Sequence, residues 1–207
     1  MRRPRLALWW LPLWASIGVG VTSKGGFEGR ATMYGLTKPI GGSCSVRKAP
    51  AGVQEDMFVA MNRQQYANSA SCSRCLSIKG PKGTAMAYAA DFCYECGQNN
   101  LDLNPIVWEK VIGGDPRIEA ISWEFVACPD DSVKFCLKEG SNDRWLALQV
   151  ANSRDGVQKL TINGMKTQII GVTSFYQLSS GEPVDMNKLE VQIESISGKK
   201  STHTVGS

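Results

Sequence analysis

Two Cys-x-x-Cys motifs, Cys72–Cys75 and Cys93–Cys96, are the residues whose spacing points most directly to chemistry. Four thiolates in this arrangement are typical of a zinc ribbon, and a single Cys-x-x-Cys motif also suits thioredoxin-like redox exchange. The same thiols form disulfides in an oxidising compartment. His203, near the C-terminus, is the one histidine of the sequence, so a zinc site with two histidine ligands is excluded. The compartment therefore decides between these interpretations.

The N-terminus predicts that compartment. Arg2, Arg3 and Arg5 precede an apolar stretch over 6–21, and small residues follow it. A basic start, an apolar run and small residues are typical of a secretory signal peptide, here 1–23. The alternative is a membrane anchor, but the stretch is shorter than the roughly 20 apolar residues of a spanning helix. Secretion favours disulfides, and an odd number of seven cysteines leaves one thiol over.

Composition excludes several classes of protein. The chain is 43% hydrophobic and 20% charged, which is too apolar for a disordered protein. Removing the three leader arginines lowers the formal net charge from +4 to about +1. A nearly neutral mature chain argues against a general nucleic-acid binder.

The first part of the mature chain is predicted to be mostly β. Asn104 and Pro105 open one short helix, whose apolar face we place at 106, 107, 111 and 112, and Gly113-Gly114 ends it. Strand-like runs surround this helix, separated by Gly, Pro and Asn turns. They cover 27–34, 57–61, 76–79, 85–90 and 118–128.

The composition and the predicted elements change after Pro129. All seven cysteines lie between 44 and 136, and the last seventy residues contain none. Regularly spaced strands with the hairpin dipeptides Asp155-Gly156 and Asn163-Gly164 predict a small β-sandwich that docks on the first domain. The predicted strands are 133–137, 145–150, 157–162, 167–178 and 189–196.

Alternation along 145–150 separates two faces. Leu146, Leu148 and Val150 take the core face, so Trp145 and Gln149 are expected to face outward. An exposed aromatic on a flat sheet suits stacking on a sugar ring. The alternative is that Trp145 packs at the domain interface.

The order of motifs resembles the expansin family and its microbial expansin-like relatives. The resemblance covers essentially the whole mature chain and rests on the combined order and spacing of its motifs. In the first domain these are Gly29-Arg30-Ala31-Thr32-Met33-Tyr34-Gly35, Gly42-Ser43-Cys44, Asp91-Phe92-Cys93-Tyr94-Glu95-Cys96, Leu101-Asp102-Leu103-Asn104 and Trp123-Glu124-Phe125-Val126-Ala127-Cys128; in the second they are Arg144-Trp145 and Ala147-Leu148-Gln149-Val150.

The resemblance implies a mainly β fold with two domains. A six-stranded double-psi β-barrel over 25–128, related to family 45 endoglucanases, is followed by an immunoglobulin-like carbohydrate-binding β-sandwich over 132–207. It also implies three disulfides, Cys44 with Cys72, Cys75 with Cys128 and Cys93 with Cys96, which leaves Cys136 as the odd cysteine.

Candidate site residues are carried over from the family motifs. Thr32, Asp91 and Asp102 match groove residues, and Asp102 matches the general acid of the related endoglucanases. Expected sugar-binding residues are Trp145, Glu95, Tyr94, and Phe175 or Tyr176. Tyr94 stands beside Cys93, the cysteine that replaces a groove tyrosine of the family. Phe175 or Tyr176 would extend the aromatic platform of the second domain.

The carboxylates of the first domain distinguish a hydrolytic from a non-hydrolytic mechanism. Glycoside hydrolysis uses two of them, and no Asp or Glu directly follows Thr32, where the related hydrolases carry their base. Asp91 beside Asp102 would raise the pKa of one carboxyl and leave a proton donor for a glucan oxygen. The expectation is therefore a non-hydrolytic protein that loosens wall polysaccharide.

Three alternatives stay open: a weak endoglucanase-type hydrolase, a secreted carbohydrate-binding or signalling protein without loosening activity, and a transglycosylase acting on peptidoglycan, against which the second domain argues. The expected partner is cellulose, xyloglucan or another glucan, with chitin a further option. A secreted monomer is expected, in the extracellular space or cell wall, without metal or cofactor, without nucleic acid, and without a membrane after signal cleavage.

Overall fold

A computed structural model describes residues 26–130 and 132–206. The predicted signal peptide, 1–23, lies outside the described residues. Within them, no helix has both the length and the apolar character needed to cross a membrane.

Six strands form a closed barrel in the order β1-β5-β2-β4-β3-β6. β1 runs parallel to β5 and β2 runs parallel to β4, whereas the remaining pairs are antiparallel. The strands are β1 Phe27–Met33, β2 Phe58–Met61, β3 Cys75–Lys79, β4 Thr84–Phe92, β5 Leu101–Leu103 and β6 Glu119–Val126. Helices α1 Arg63–Tyr66 and α2 Pro105–Val111, with a 3-10 turn at Pro39–Gly41, complete this part.

The remaining strands form two four-stranded sheets, β10-β9-β13-β14 and β11-β12-β8-β7. They are β7 Lys134–Leu137, β8 Trp145–Ala151, β9 Lys159–Ile162, β10 Met165–Lys166, β11 Gln168–Ile169, β12 Phe175–Ser179, β13 Leu189–Glu194 and β14 Lys200–Val205. The mainly β fold of a double-psi barrel followed by a β-sandwich is confirmed.

Each part has its own hydrophobic core. Phe58, Tyr88 and Trp108 are among the fully buried side chains of the barrel, and Leu148 and Ile162 are among those of the sandwich. Two separate cores support the domain limits 25–128 and 132–207, which stay a proposal.

Three disulfides join the expected partners: Cys44 with Cys72, Cys75 with Cys128, and Cys93 with Cys96. All four cysteines of the two Cys-x-x-Cys motifs are therefore oxidised and do not converge as zinc ligands. Cys136 carries the free thiol. Among the described residues, no group of three His, Cys, Asp or Glu could hold a metal ion.

Some sequence expectations need correction. No element was predicted at β5, β10, β14 or α1. The single predicted run 167–178 is two short strands, with Gly171 at positive φ between them. In α2, Ile106 is 41% exposed and Trp108 is buried instead. The buried face is 107, 108 and 111, because residues three and four apart share one side of a helix.

The barrel packs against the face of β8 that alternation predicted to be open. The Gln149 side chain is 1% exposed. Its Nε2 donates to the carbonyl oxygens of Cys44 and Ser45 at 3.3 and 3.0 Å, and its Oε1 accepts from the Arg47 N–H at 3.0 Å. Gln149 faces away from the sandwich core as alternation predicted, but its expected exposure to solvent is wrong, because the neighbouring domain covers that part of the face. The two domains dock on each other.

Candidate groove on the barrel

Four adjacent strands align one row of residues across the barrel. Thr32 of β1 pairs with Asp102 of β5, Asp102 pairs with Ala60 of β2, and Ala60 pairs with Asp91 of β4. Paired residues share one face of a sheet, and neighbouring strands lie about 5 Å apart. Asp91 and Asp102 therefore lie two strands apart on one row, with Ala60 on the strand between them.

Thr32 and Asp102 form a direct hydrogen bond, in which Thr32 Oγ1 donates to Asp102 Oδ1 at 2.6 Å. The pKa of Asp102 is raised above its ordinary value, chiefly by burial and further by the negative charges of Asp91 and Glu95. The Thr32 hydrogen bond acts in the opposite direction and lowers this pKa. A second carboxylate contributes as the sequence suggested, but burial is the larger cause.

Asp91 is held by backbone donors. Its Oδ1 accepts from the N–H groups of Ser43 and Phe92, both at 2.7 Å. A Cβ on Gly42 would lie 2.4 Å from the Ala90 carbonyl oxygen and 3.0 Å from the Asp91 Cβ. Glycine at 42 therefore allows the loop to approach β4 and deliver the Ser43 N–H to the carboxylate.

Tyr34 adds a group that sequence reasoning did not assign to the site. Its hydroxyl is buried and has no hydrogen-bond partner among the described residues. Its pKa is raised by burial first and then by the charges of Asp91 and Asp102. The signal was available, because alternation places residue 34 on the same side of the chain as Thr32.

An open cavity of about 250 Å³ contains Thr32 and Asp102. Glu95, Arg30 and Asn100 supply further polar groups, and the Cys93–Cys96 disulfide forms part of the wall. Ile118 also lines it and is 65% exposed. The structure thus brings Thr32, Asp102 and Glu95 into one groove with both hydrogen-bonding and apolar surface.

Tyr94 lies outside the lining of this cavity and faces an adjoining cleft. It is 66% exposed, and its ring centroid is 4.2 Å from that of Phe92. An exposed ring of this kind is available to stack on a sugar.

The sandwich exposes fewer aromatic side chains for sugar stacking than the sequence predicted. Phe175 and Tyr176 are both 3% exposed, which corrects their assignment as sugar-stacking residues. Tyr176 belongs to the sandwich core and donates its hydroxyl to the Val157 carbonyl oxygen at 2.5 Å. Phe175 pairs with buried Gln149 on the face that the barrel approaches. Trp145, the first residue of β8, is half-buried.

Comparisons with known proteins agree with this architecture. No family model matches the chain. Expansin-like protein 3 of Dictyostelium discoideum is 27% identical over 180 residues, which cover 82% of this chain and 53% of that protein. The chain therefore spans about half the length of this relative.

Two solved structures of the Clavibacter michiganensis expansin are similar in fold. The apo structure matches with a TM-score of 0.70 and 28% identity, over 86% of this chain and 90% of that one. A mutant of the same expansin in complex with cellohexaose matches with a TM-score of 0.69 and 27% identity, over the same shares of the two chains. The resemblance to expansins is confirmed.

Proposed function

From a chain that is expansin-like in sequence and in fold, we propose that it binds a cell-wall polysaccharide in the barrel groove and loosens it without hydrolysis. The substrate class is cellulose or a related glucan. This proposal draws on the cellohexaose complex of a structurally similar expansin. Secretion, predicted from the leader at 1–23, would bring the protein to the wall.

The observation that carries the proposal is the Thr32–Asp102 pair on the row shared with Asp91. A carboxyl group with a raised pKa stays protonated to a higher pH, so Asp102 can donate a hydrogen bond to a glucan oxygen. Ile118 offers an apolar surface beside it. A groove that binds a separated glucan chain better than a packed one shifts the equilibrium towards separation without a covalent step.

Weak glycoside hydrolysis is a second candidate because Glu95 lines the same cavity as Asp102. An inverting hydrolase needs one protonated carboxyl group and one ionised carboxylate that activates water. Asp102 with its raised pKa would be the acid, and Glu95 would be the base. Glu95 lies exposed on a loop, which gives it less positional control than a strand residue has.

Extension of heat-inactivated wall strips under constant load tests both candidates, with released sugar measured in the same bath. Wild type is expected to cause creep without sugar release, and Asp102→Ala, which removes the hydrogen-bond donor, is expected to abolish creep. Asp115→Ala, which makes the same change on an exposed loop, should behave as wild type.

The other results separate the alternatives. Sugar release that is lost in Asp102→Asn and Glu95→Gln would make the protein a hydrolase. Creep that persists in Asp102→Ala would exclude Asp102 from the mechanism. Absence of both creep and sugar release would contradict loosening and favour a binding or signalling role.

A further inference from the structure

A second cleft, of about 420 Å³, lies where the barrel meets the sandwich. Arg63, Phe92 and Tyr94 line it from the barrel, and Ile169 and Val172 line it from the sandwich. Tyr66 fixes the two walls relative to each other, because its hydroxyl donates to the Val172 carbonyl oxygen at 2.5 Å. The cleft is therefore a preformed feature of the docked domains.

A ladder of three aromatic rings forms the barrel wall of this cleft. Tyr66 stacks on Phe92 with centroids 4.8 Å apart, and Phe92 contacts Tyr94 with centroids 4.2 Å apart. The inner ring is buried and the outer one is largely exposed. Packing on the inner rings holds Tyr94 in place, so its exposed surface can receive a sugar at little entropic cost.

Arg63 brings a positive charge to the same wall. Its Cζ lies 5.4 Å from the centroid of the Phe92 ring, within the range of a cation–π contact. The side chain is exposed, and within 26–130 and 132–206 no carboxylate lies at ion-pair distance from it. Its guanidinium donors are therefore open to a ligand.

The cleft and the groove differ in their charged residues. Arg30, Asp102 and Glu95 line the groove, which therefore combines a basic with two acidic residues. Among the described residues lining the cleft, Arg63 is the one charged side chain. A carboxylate on a bound polymer would be attracted by Arg63 in the cleft, where no acidic residue of the described lining opposes it. The cleft therefore suits an anionic group better than the groove does.

We infer that the cleft is a binding subsite for a sugar that carries a carboxylate, a uronic acid unit of a wall polysaccharide. The sugar ring would stack on Tyr94, and the carboxylate would accept paired hydrogen bonds from the planar guanidinium of Arg63. This inference rests on the proposed function and extends it, because it adds an acidic unit to a neutral glucan substrate.

Binding of two oligosaccharides of equal length tests the inference by calorimetry. Cellohexaose is the neutral probe, and a hexamer of galacturonic acid is the acidic one. The wild type should bind the acidic hexamer more tightly, and Arg63→Ala should weaken that binding about tenfold, the scale of a charge-assisted hydrogen bond pair. Arg63→Lys should recover part of the loss, since it keeps the charge but not the fork.

Control variants separate charge from stacking. Lys110→Ala removes the same charge from the exposed side of α2 and should leave both affinities unchanged. Tyr94→Ala should weaken the binding of both probes. The wild type should bind the fully methyl-esterified acidic hexamer no more tightly than cellohexaose. Arg63→Ala should not change the affinity for this esterified hexamer.

Three results would overturn the inference: no preference of wild type for the acidic hexamer, an equal effect of Lys110→Ala, or an advantage that survives esterification. Failure of the proposed function looks different, because wild type would then fail to bind cellohexaose. Retained cellohexaose binding by Arg63→Ala shows that the variant is folded.

Discussion

At the scale of single residues, the groove depends on a carboxyl group that is kept partly out of water. Asp102 is half-buried, and its pKa is raised by burial and by two other carboxylates, while Thr32 opposes the shift. The hydroxyl of Thr32 donates and therefore favours the charged form of Asp102. Thr32 thus adjusts the pH range over which Asp102 can act as a donor.

Replacing Thr32 by valine is expected to raise the pKa of Asp102 further, because a hydrogen bond to the ionised carboxylate is lost while burial remains. Titration of the Asp102 carboxyl carbon by NMR measures this. Thr161→Val on β9 is the matched control and should leave the titration unchanged. An unchanged or lower pKa in Thr32→Val would contradict the role given to Thr32.

Asp102→Asn is expected to stabilise the protein at neutral pH. The folded-state pKa of Asp102 is raised, so the folded state binds more protons than the unfolded state between the ordinary value of 3.8 and the raised value. Wild-type stability therefore falls as pH rises through this window, and asparagine avoids that loss. Urea unfolding should show the gain at neutral pH and its disappearance below the ordinary pKa of aspartate.

Asp115→Asn serves as the control for this measurement and should show no such gain. A variant Asp102→Asn that is less stable than wild type at neutral pH would mean that the ionised carboxylate makes favourable contacts outweighing its burial.

At the scale of elements, short segments are positioned by local caps and by covalent links. Asn104 follows β5 directly and caps α2, since its Oδ1 accepts from the Ile106 N–H at 2.8 Å. Its Nδ2 donates to the Leu36 carbonyl oxygen at 2.9 Å. One buried side chain therefore joins the helix start, the end of the Asp102 strand and the chain that follows β1.

Asn104→Ala is expected to lower the free energy of unfolding by about 2 kcal/mol, since it removes a helix cap and leaves a carbonyl group without its donor. Denaturant unfolding measures the change. Lys110→Ala on the exposed side of α2 should change stability by no more than about 0.5 kcal/mol. Equal effects of the two variants would show that the cap does not stabilise the fold.

The disulfides should differ in their contributions. Cys75–Cys128 spans a sequence separation of 53, and Cys93–Cys96 spans only 3. Loop-closure entropy then predicts about 4 kcal/mol for the first link and about 1.5 kcal/mol for the second. Unfolding of the two double serine variants tests the order, and a larger loss for the 93–96 pair would contradict it.

At the scale of the whole molecule, a polar interface keeps the groove and the cleft aligned. Gln149 contacts three backbone groups of the barrel, and Asn152 Oδ1 accepts from the Ala51 N–H at 3.1 Å. In the other direction, Val157 N–H donates to the Ala70 carbonyl oxygen at 2.8 Å. Buried hydrogen bonds of this kind require defined geometry, so they set the orientation of the two domains.

Gln149→Met is expected to lower the free energy of unfolding by at least about 2 kcal/mol, because it leaves buried barrel groups without partners. It should also speed proteolysis of the segment between the domains. Gln177→Met, on the neighbouring strand but half-buried, is the control and should have a small effect. Unchanged proteolysis in Gln149→Met would show that the interface does not depend on this side chain.

Much of this protein follows from local sequence. Strand alternation, the Asn104-Pro105 start and the Gly113-Gly114 end predicted most barrel strands and α2, because these signals act within a few residues. The family motifs identified Thr32, Asp91, Asp102 and the disulfide partners. The structure aligns the first three on neighbouring strands and contains the three expected disulfides.

Tertiary structure alone decided what covers each face. Alternation separates the two sides of β8 and β12, but it does not say that the barrel covers Gln149 or that Phe175 and Tyr176 are buried. The ladder of Tyr66, Phe92 and Tyr94 likewise joins residues from separate elements. Burial and stacking depend on contacts between distant parts of the chain, which the periodicity of one segment does not contain.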